Sequence, residues 1–210
     1  MMALLLIVCL LFTWTGHSWS QSILEDKATA SKFVNVQELD PTIELDIRYA
    51  TTNNFTNKQM YDCGKCYLRE EVAEKMVLAN KEFREMGYRI KVFDCYRPQS
   101  VQYKLWQEVP NPQYVANPDK GSVHNRGGAV DLTLIDKNGK ELPMGTGYDF
   151  FGEQAHQDYF QLPENILENR KLLKETLHKF GFTPIRTEWW HYDFYNNKSY
   201  PISDLQWDCN

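Results

Sequence analysis

Two short segments of the chain contain residues whose types and spacing could bind a catalytic metal ion. The first contains His124 and, seven residues later, Asp131. The second contains Glu188 and, three residues later, His191. Two imidazoles and one carboxylate form a ligand set suited to catalytic zinc with a fourth position open to water. A further carboxylate beside the second histidine is the group that a metal-assisted hydrolase needs as its general base.

Spacing alone leaves a second interpretation equally open for each segment. A core histidine that is hydrogen-bonded to a buried aspartate gives the same pattern. The position of Glu188 adds a geometric constraint, because side chains three residues apart on a strand point to opposite faces. Glu188 and His191 therefore meet at one metal only if Glu188 precedes the strand or a bulge redirects it.

Residues close to these segments also have two interpretations each. Arg97 follows a predicted strand, where it is either a surface arginine at a turn or a permanently charged donor that stabilises an anion. His156 and Asp158 are interpreted as surface or outer residues rather than as ligands. Trp189 and Trp190 are typical of strand packing, with one ring on each face, and we expect at least one of them to wall the metal site and keep it dry.

The hydrophobic pattern predicts helices and strands that mix without strict βαβ alternation. Helices are predicted over 70–86, 100–109 and 166–180, strands or extended segments over 33–49, 88–95, 129–135 and 187–195, a loop over 51–64 and a turn over 136–139. The sequence therefore predicts an α+β fold in a single domain, with a mainly antiparallel sheet flanked by helices.

Composition excludes one broad class of function. The chain has 210 residues, of which 42% are hydrophobic and 24% charged, as is usual for a soluble protein of one domain. Its formal net charge of −5 includes no concentrated basic face of the kind that nucleic-acid binding requires. No nucleic-acid partner is expected, and the sequence indicates neither protein partners nor an oligomeric state.

The N-terminus predicts export. Residues 3–14 form an apolar run that suits a secretory signal and is shorter than the roughly 20 residues of a membrane span. Ser18 and Ser20 are small residues at the positions expected before a cleavage site, although no Lys or Arg precedes the run. We therefore expect a signal peptide over 1–20, a mature domain over 21–210 without a stable membrane span, and a periplasmic or secreted location. The alternative is an uncleaved anchor or an N-terminal helix.

Four cysteines follow the predicted signal peptide: Cys63, Cys66, Cys95 and Cys209. An even count in an oxidising compartment permits two disulfides, and four cysteines allow three connectivities. The spacing of Cys63 and Cys66 also resembles half of a zinc ribbon or a redox pair, but neither a second such pair nor a thioredoxin-like context is present. Structural cysteines, some of them bridged, are the preferred interpretation.

The combined pattern Ser-x-His-x-x-Gly-x-Ala-x-Asp over 122–131 and Glu-x-x-His over 188–191 resembles the zinc site of the D-alanyl-D-alanine dipeptidases of the VanX type. That family is related to D,D-carboxypeptidases and shares its fold with the hedgehog signalling domain. Segments 46–51, 93–98 and 144–149 are also similar to the dipeptidase branch, so the resemblance spans about 33–201. This combination is far more specific than any one motif.

The resemblance implies a role for each matching position of the metal site. His124, Asp131 and His191 are implied as ligands of one zinc ion per chain. Glu188 is implied as the base that takes a proton from the attacking water and delivers it to the leaving amine. Arg97 matches the arginine that stabilises the negative charge of the tetrahedral intermediate.

The resemblance also implies the substrate pocket and the reaction. Ser122, Tyr49 and Asp149 are expected to line a small pocket, in which Asp149, helped by Tyr49, holds the free α-amino group of a dipeptide. The expected activity is hydrolysis of D-Ala-D-Ala in peptidoglycan turnover or salvage. Two alternatives are a D,D-carboxypeptidase acting on peptidoglycan stem peptides and a catalytically silent module that contains zinc for structure.

Overall fold

A sheet with the strand order β2-β4-β5-β7-β6 forms the centre of the computed structural model, which describes residues 32–209. The strands are β1 (Phe33–Asn35), β2 (Glu44–Leu45), β3 (Tyr67–Arg69), β4 (Tyr88–Asp94), β5 (Ala129–Asp136), β6 (Phe182–Pro184) and β7 (His191–Phe194). The α-helices are α1 (Val36–Leu39), α2 (Glu70–Glu85), α3 (Gln99–Glu108) and α4 (Glu164–Lys179). Short 3-10 turns span Arg48–Ala50, His124–Arg126, Glu153–Ala155 and Asn197–Ser199. All pairs in the central sheet are antiparallel except β2 with β4, and β1 pairs with β3 in a separate antiparallel ribbon.

The buried faces of these elements follow from the sequence. Strand β5 lies at the middle of the sheet, and its residues from Ala129 to Ile135 are all buried. Helix α2 turns an apolar face that includes Val72, Met76 and Phe83 toward β4 and α4. The α+β class, the single domain and the mainly antiparallel sheet that the sequence predicts are therefore confirmed. The predicted helices and the strands at 88–95 and 129–135 are also confirmed to within two residues at their ends.

Two predicted strands are much shorter than expected. The segment 33–49 is not continuously extended, because the side chain of Asn35 accepts a hydrogen bond from Gln37 N and caps α1. The alternating residues Ile43, Ile47 and Tyr49 are buried as expected, yet only Glu44–Leu45 forms a strand. The predicted strand 187–195 is likewise reduced to His191–Phe194. In both places the hydrophobic pattern correctly predicted which side chains are buried, but it did not predict which backbone groups pair.

The cysteines pair as Cys63–Cys209 and Cys66–Cys95. Cys63 and Cys66 therefore do not form a redox pair with each other. The prediction of a signal peptide over 1–20 concerns residues outside those described. Among residues 32–209, no helix combines the length and the apolar character needed to cross a membrane.

A buried arginine on α4 fixes the long loop between β5 and α4. The Arg170 side chain donates from Nε to Met144 O at 2.8 Å, from Nη1 to His156 O at 3.0 Å and from Nη2 to Gln154 O at 2.8 Å. Burial lowers the pKa of Arg170 to about 10, so the guanidinium remains charged at neutral pH. Because Asp149 lies within this loop, Arg170 determines where one end of the predicted substrate pocket is placed.

We expect Arg170→Leu to lower the free energy of unfolding by about 2 to 3 kcal/mol, since roughly 1 kcal/mol is lost for a carbonyl left without a donor and two of the three carbonyls are only partly buried. Urea denaturation followed by circular dichroism measures this change. Lys171→Ala on the same helix is the matched control, because Lys171 forms only an exposed pair with Glu175 and should cost less than about 0.5 kcal/mol. Equal effects of the two substitutions would contradict the anchoring role.

Candidate active site

Three side chains converge beside the paired strands β5 and β7, near the beginning of each strand. His124 lies in the 3-10 turn that precedes β5, and Gly127 ends that turn with a φ of 69°, in the left-handed region that glycine tolerates. Asp131 lies in β5 and is directly opposite His191, the first residue of β7. Antiparallel pairing thus places side chains that are 60 residues apart in the sequence beside each other.

The donor atoms of these residues have the spacing of a metal site. Nε2 of His124 lies 3.1 Å from Nδ1 of His191, which lies 3.0 Å from Oδ1 of Asp131. The remaining distance, from His124 Nε2 to Asp131 Oδ1, is 3.3 Å. A tetrahedral ion with bonds of about 2.0–2.1 Å separates its ligands by about 3.3 Å. The three residues therefore fit a tetrahedral metal ion with one position left for a further ligand.

Each of the three candidate ligands is also oriented through its other polar atom. Nδ1 of His124 donates to Cys95 O at 2.6 Å, so that in the neutral ring Nε2 carries the lone pair that can bind a metal. Nε2 of His191 lies 2.9 Å from Oδ1 of Asp193, and Oδ2 of Asp131 accepts a hydrogen bond from Tyr148 OH at 2.9 Å. Outer contacts of this kind fix the ring orientation and tautomer of metal-bound histidines.

The electrostatics of the cluster favour a bound cation. Burial alone would raise the pKa of Asp131, but the adjacent His124 and His191 hold it below the usual range of an aspartate. Burial likewise opposes the charge of His191, yet Asp131 and Asp193 raise its pKa well above the ordinary value. The buried carboxylate thus requires nearby positive charge, which a metal ion supplies more fully than a protonated imidazole.

Glu188 lies just before the bend at 189–190 that leads into β7, outside the donor cluster, and lines the same cavity. The structure thus adopts the first of the two arrangements that the sequence allowed, in which Glu188 precedes the strand. Burial raises the pKa of Glu188, with a further contribution from Asp131, and the neighbouring His191 and Arg97 oppose that change. A carboxyl group with a raised pKa is well suited to accept and return a proton near neutral pH.

Arg97 is buried, with 8% of its surface exposed, so the surface interpretation is wrong. Its Nε and Nη2 donate to Oδ2 of Asp94 at 3.1 and 2.6 Å, and Nη1 donates to Gln102 at 2.8 Å. Oδ1 of Asp94 accepts from Tyr61 OH at 2.7 Å. Burial opposes the charge of Arg97, but Asp94 raises its pKa well above the ordinary value. The guanidinium is therefore held charged and in one orientation at the wall of the cavity.

One cavity of about 370 Å³ brings all the predicted site residues together: Tyr49, Arg97, Ser122, His124, Asp131, Asp149, Glu188 and His191. Asp149 adopts a φ of 56°, which few residues other than glycine tolerate, and it accepts a hydrogen bond from Tyr49 OH at 3.2 Å. Burial raises the pKa of Asp149 well above its usual value, and the negative charges of Asp131 and Glu188 raise it further. A substrate ammonium group beside Asp149 would offset the free-energy cost of ionising this carboxyl group.

Comparison with known proteins identifies the family. Residues 29–207 match the Peptidase M15 family, described as D-Ala-D-Ala dipeptidase. The chain belongs to this family. It is 35% identical over 179 residues to the D-alanyl-D-alanine dipeptidase of Escherichia coli strain K12, covering 85% of this chain and 93% of that protein. It is 31% identical over 192 residues to the D-alanyl-D-alanine dipeptidase of Enterococcus faecium, covering 81% and 95%.

Solved structures are more distant from this M15 family member. The vancomycin-resistance D,D-pentapeptidase VanY in complex with Zn(II) gives a TM-score of 0.41 at 18% identity, over 63% of this chain and 75% of that chain. The LD-carboxypeptidase LdcB gives a TM-score of 0.40 at 21% identity, over 63% and 61%. The family resemblance predicted from the motifs is confirmed by the sequence matches.

The structure also shows where the remaining residues with two interpretations lie. His156 and Asp158 lie beside Arg186 at the surface and do not line the cavity, as predicted. Trp189 and Trp190 are buried, but they precede β7 instead of lying on it, and their rings meet edge to face. Neither lines the cavity, so the expectation that one of them walls the metal site is wrong.

Trp190 contributes to the site only indirectly. Its ring packs at 5.5 Å against that of Tyr148, whose hydroxyl bonds to Asp131. Tyr148 is one of the residues that sequence analysis missed, and Asp193 and Asp94 are others. Asp193 could have been found, because it lies two residues after His191 and therefore on the same face of the strand.

Three aromatic residues from separate loops form the rim of the cavity of this M15 family member. Tyr114 and Phe151 stack with their ring centres 4.4 Å apart, and Phe55 lies 5.3 Å from Phe151. Tyr49 meets Phe55 edge to face at 6.1 Å. The rim thus lies on the side of the cavity where Asp149 and Tyr49 are paired.

We expect Asp193→Asn to weaken metal affinity by about 10- to 100-fold, because His191 then loses the carboxylate that fixes its tautomer. Competition with a chromophoric chelator measures the affinity for zinc. Asp158→Asn is the matched control, since that carboxylate pairs with Arg186 at the surface. An unchanged affinity in Asp193→Asn would contradict the orienting role, and a weakened affinity in Asp158→Asn would indicate a different metal site.

Proposed function

We propose that this chain is a zinc-dependent dipeptidase that hydrolyses D-Ala-D-Ala to two molecules of D-alanine. The observation that supports this most directly is the convergence of eight predicted residues on one cavity that contains both a candidate metal cluster and the Asp149 carboxylate, which we assign to the substrate amine. The relatives that match most of the chain are D-alanyl-D-alanine dipeptidases. The proposed assignment joins these two lines of support.

Zinc suits the donor set better than other common divalent ions. His124, Asp131 and His191 provide two imidazole nitrogens and one carboxylate oxygen at tetrahedral spacing. Calcium and magnesium prefer sites built from oxygen ligands, with six or more of them. The cluster is the only one of its kind among residues 32–209, so we propose one ion per chain.

The residues around the cluster can perform peptide hydrolysis. A bound zinc ion supplies a Lewis acid that polarises the peptide carbonyl and lowers the pKa of water to roughly 7. Glu188 takes a proton from the attacking water as its oxygen adds to the carbonyl carbon. Glu188 then delivers that proton to the nitrogen as the C–N bond breaks, which releases two amino acids. Arg97, fixed by Asp94 and Gln102, stabilises the negative charge that develops on the carbonyl oxygen.

Recognition of a free dipeptide depends on Asp149 and Tyr49, which line the same cavity. The Asp149 carboxylate and the Tyr49 hydroxyl form a pair that is mostly shielded from solvent and suited to a substrate ammonium group. An N-acylated peptide has no such charge to offset the cost of the buried carboxylate. Ser122, near His124 on the cavity wall, adds a hydroxyl for substrate contact. This arrangement favours a dipeptidase over a carboxypeptidase that acts on longer stem peptides.

We further propose that the enzyme acts outside the cytoplasm and salvages dipeptide released from peptidoglycan. Two disulfide pairings, Cys63–Cys209 and Cys66–Cys95, suit an oxidising compartment. The apolar run over 3–14 has the length of a secretory signal. An enzyme at that location meets released dipeptide rather than the cytoplasmic precursor pool.

The purified mature chain should release D-alanine from D-Ala-D-Ala, lose this activity in a chelator and regain it with added zinc. Glu188→Gln should reduce kcat by about 10²- to 10⁴-fold, the usual contribution of a general base, while zinc affinity is retained. Coupled D-amino-acid oxidase detection measures turnover.

The outcomes of this assay separate the proposed functions. Hydrolysis of stem peptides but not of the free dipeptide would identify a carboxypeptidase. Zinc binding without hydrolysis of either would identify a silent binding module. Full activity in Glu188→Gln would refute the proposed base.

Asp149 should make substrate affinity dependent on pH. Its pKa is raised by burial, so the neutral acid persists to higher pH than in an ordinary aspartate, and affinity for the ammonium group is lost as pH falls through that raised pKa. Asp149→Asn should raise KM by about 10- to 100-fold, the loss expected for a hydrogen bond to a charged group. It should also remove this pH dependence of KM.

Glu153→Gln is the matched control, since Glu153 is an exposed carboxylate of the same loop that does not line the cavity. Steady-state kinetics from about pH 5 to 8, the usual range of maximal protein stability, measure both variants. A pH-dependent KM that persists in Asp149→Asn would assign amine recognition to another group.

A further inference from the structure

Cys95 contacts the metal cluster through its backbone and the opposite ribbon through its side chain. Its carbonyl oxygen accepts the hydrogen bond from Nδ1 of His124 at 2.6 Å. Its sulfur is bonded to that of Cys66, which lies immediately before β3. Both cysteines are buried, with 1% and 0% of their surfaces exposed. The disulfide therefore joins Cys95, whose carbonyl binds the candidate zinc ligand His124, to the β1–β3 ribbon.

The sheet itself does not hold Cys95. Strand β4 ends at Asp94, and its register with β5 shifts between Val92 and Asp94. Beyond that point the chain is held by Tyr96 N, which donates to Tyr67 O at 2.9 Å, and by Arg97 N, which donates to His124 O at 3.1 Å. The second of these bonds depends on the His124 segment and cannot position it independently.

We infer that the Cys66–Cys95 disulfide is a positioning element of the metal centre: it fixes the carbonyl that orients His124 and thereby sets the affinity for zinc. This inference rests on the proposed function, because it takes His124 as a zinc ligand. Arg97 follows two residues after Cys95, so the same covalent link also restrains the segment that presents the guanidinium to the cavity.

The second disulfide provides an internal control. Cys63 is partly buried, Cys209 is exposed, and neither lines the cavity or contacts a donor of the metal cluster. The sequence separation of this pair is 146 residues, against 29 for Cys66–Cys95. Because a disulfide that closes a longer loop restricts the unfolded chain more, removal of Cys63–Cys209 should cause the larger loss of stability.

The test compares C66A/C95A with C63A/C209A, both as the full mature chain freed of metal and then titrated with Zn²⁺ or Co²⁺. We expect C66A/C95A to bind Zn²⁺ about 10- to 100-fold more weakly than the wild type, because the carbonyl of residue 95 is then free to shift and disturbing an outer contact has effects of this size. Its Co²⁺ complex should have altered d–d absorption, since that spectrum reports ligand geometry. C63A/C209A should keep the wild-type affinity and spectrum although its melting temperature falls further.

Each other outcome decides against the inference or against its premise. Wild-type affinity and an unchanged Co²⁺ spectrum in a folded C66A/C95A would show that the disulfide does not position the site. Equal loss of affinity in both variants would indicate a general effect of stability. If neither C66A/C95A nor C66V/C95A, which refills part of the space, is folded, the bond is a folding requirement and the positioning role is wrong. A wild-type chain that binds no Zn²⁺ would instead refute the proposed function.

Discussion

Cross-strand register is the constraint on which the rest of the site depends. Asp94, Asp131 and His191 lie opposite one another on β4, β5 and β7, so one row across the sheet supplies a metal-site carboxylate, an imidazole and the carboxylate that fixes Arg97. Side chains alternate between faces along a strand, and a slip of one residue would turn each of them to the other side. The irregularity between Val92 and Asp94 is what brings Asp94 into this row. The chemistry of the cavity is thus set by backbone pairing before any side-chain contact is considered.

Concentrating charge in this row creates a problem that the surrounding side chains solve. Asp94 and Asp131 are both buried, and an isolated buried carboxylate is strongly unfavourable. Asp94 is compensated by Arg97 and by the Tyr61 hydroxyl, whereas Asp131 is compensated by two imidazoles and the Tyr148 hydroxyl. Each acid has hydrogen-bond donors of its own, so the two carboxylates can lie on adjacent strands. Further positive charge is needed where the donor atoms of His124, Asp131 and His191 meet.

The sequence predicted the metal cluster, Glu188 and the main helices, because these depend on local spacing and on a motif that few families share. It did not predict the contacts that orient them. The bond from Tyr148 to Asp131 and the pairing of Cys66 with Cys95 join residues distant in sequence, and no local pattern specifies which partners meet. The prediction of an extended segment over 33–49 was wrong for a different reason. Capping of α1 by the Asn35 side chain competes with strand pairing over the same residues. Alternating hydrophobicity reports which side chains face the core, and it cannot by itself decide which backbone groups form a ladder.

The cavity is built from two parts of the chain that are anchored in different ways, and one of them is the loop held by Arg170. The metal cluster is built on β5, β7 and the turn before β5, whereas Asp149 and Phe151 belong to a segment that one helix side chain fastens through three backbone carbonyls. Every residue has a backbone carbonyl, so the hydrogen bonds from Arg170 do not depend on which side chains the loop carries. Substitutions in this loop at positions other than Tyr148, whose hydroxyl bonds to Asp131, can accordingly alter which amino-terminal group is accepted while the hydrolytic residues stay the same. An architecture of this kind allows substrate range to diversify among descendants of one ancestral hydrolase without the catalytic machinery being rebuilt.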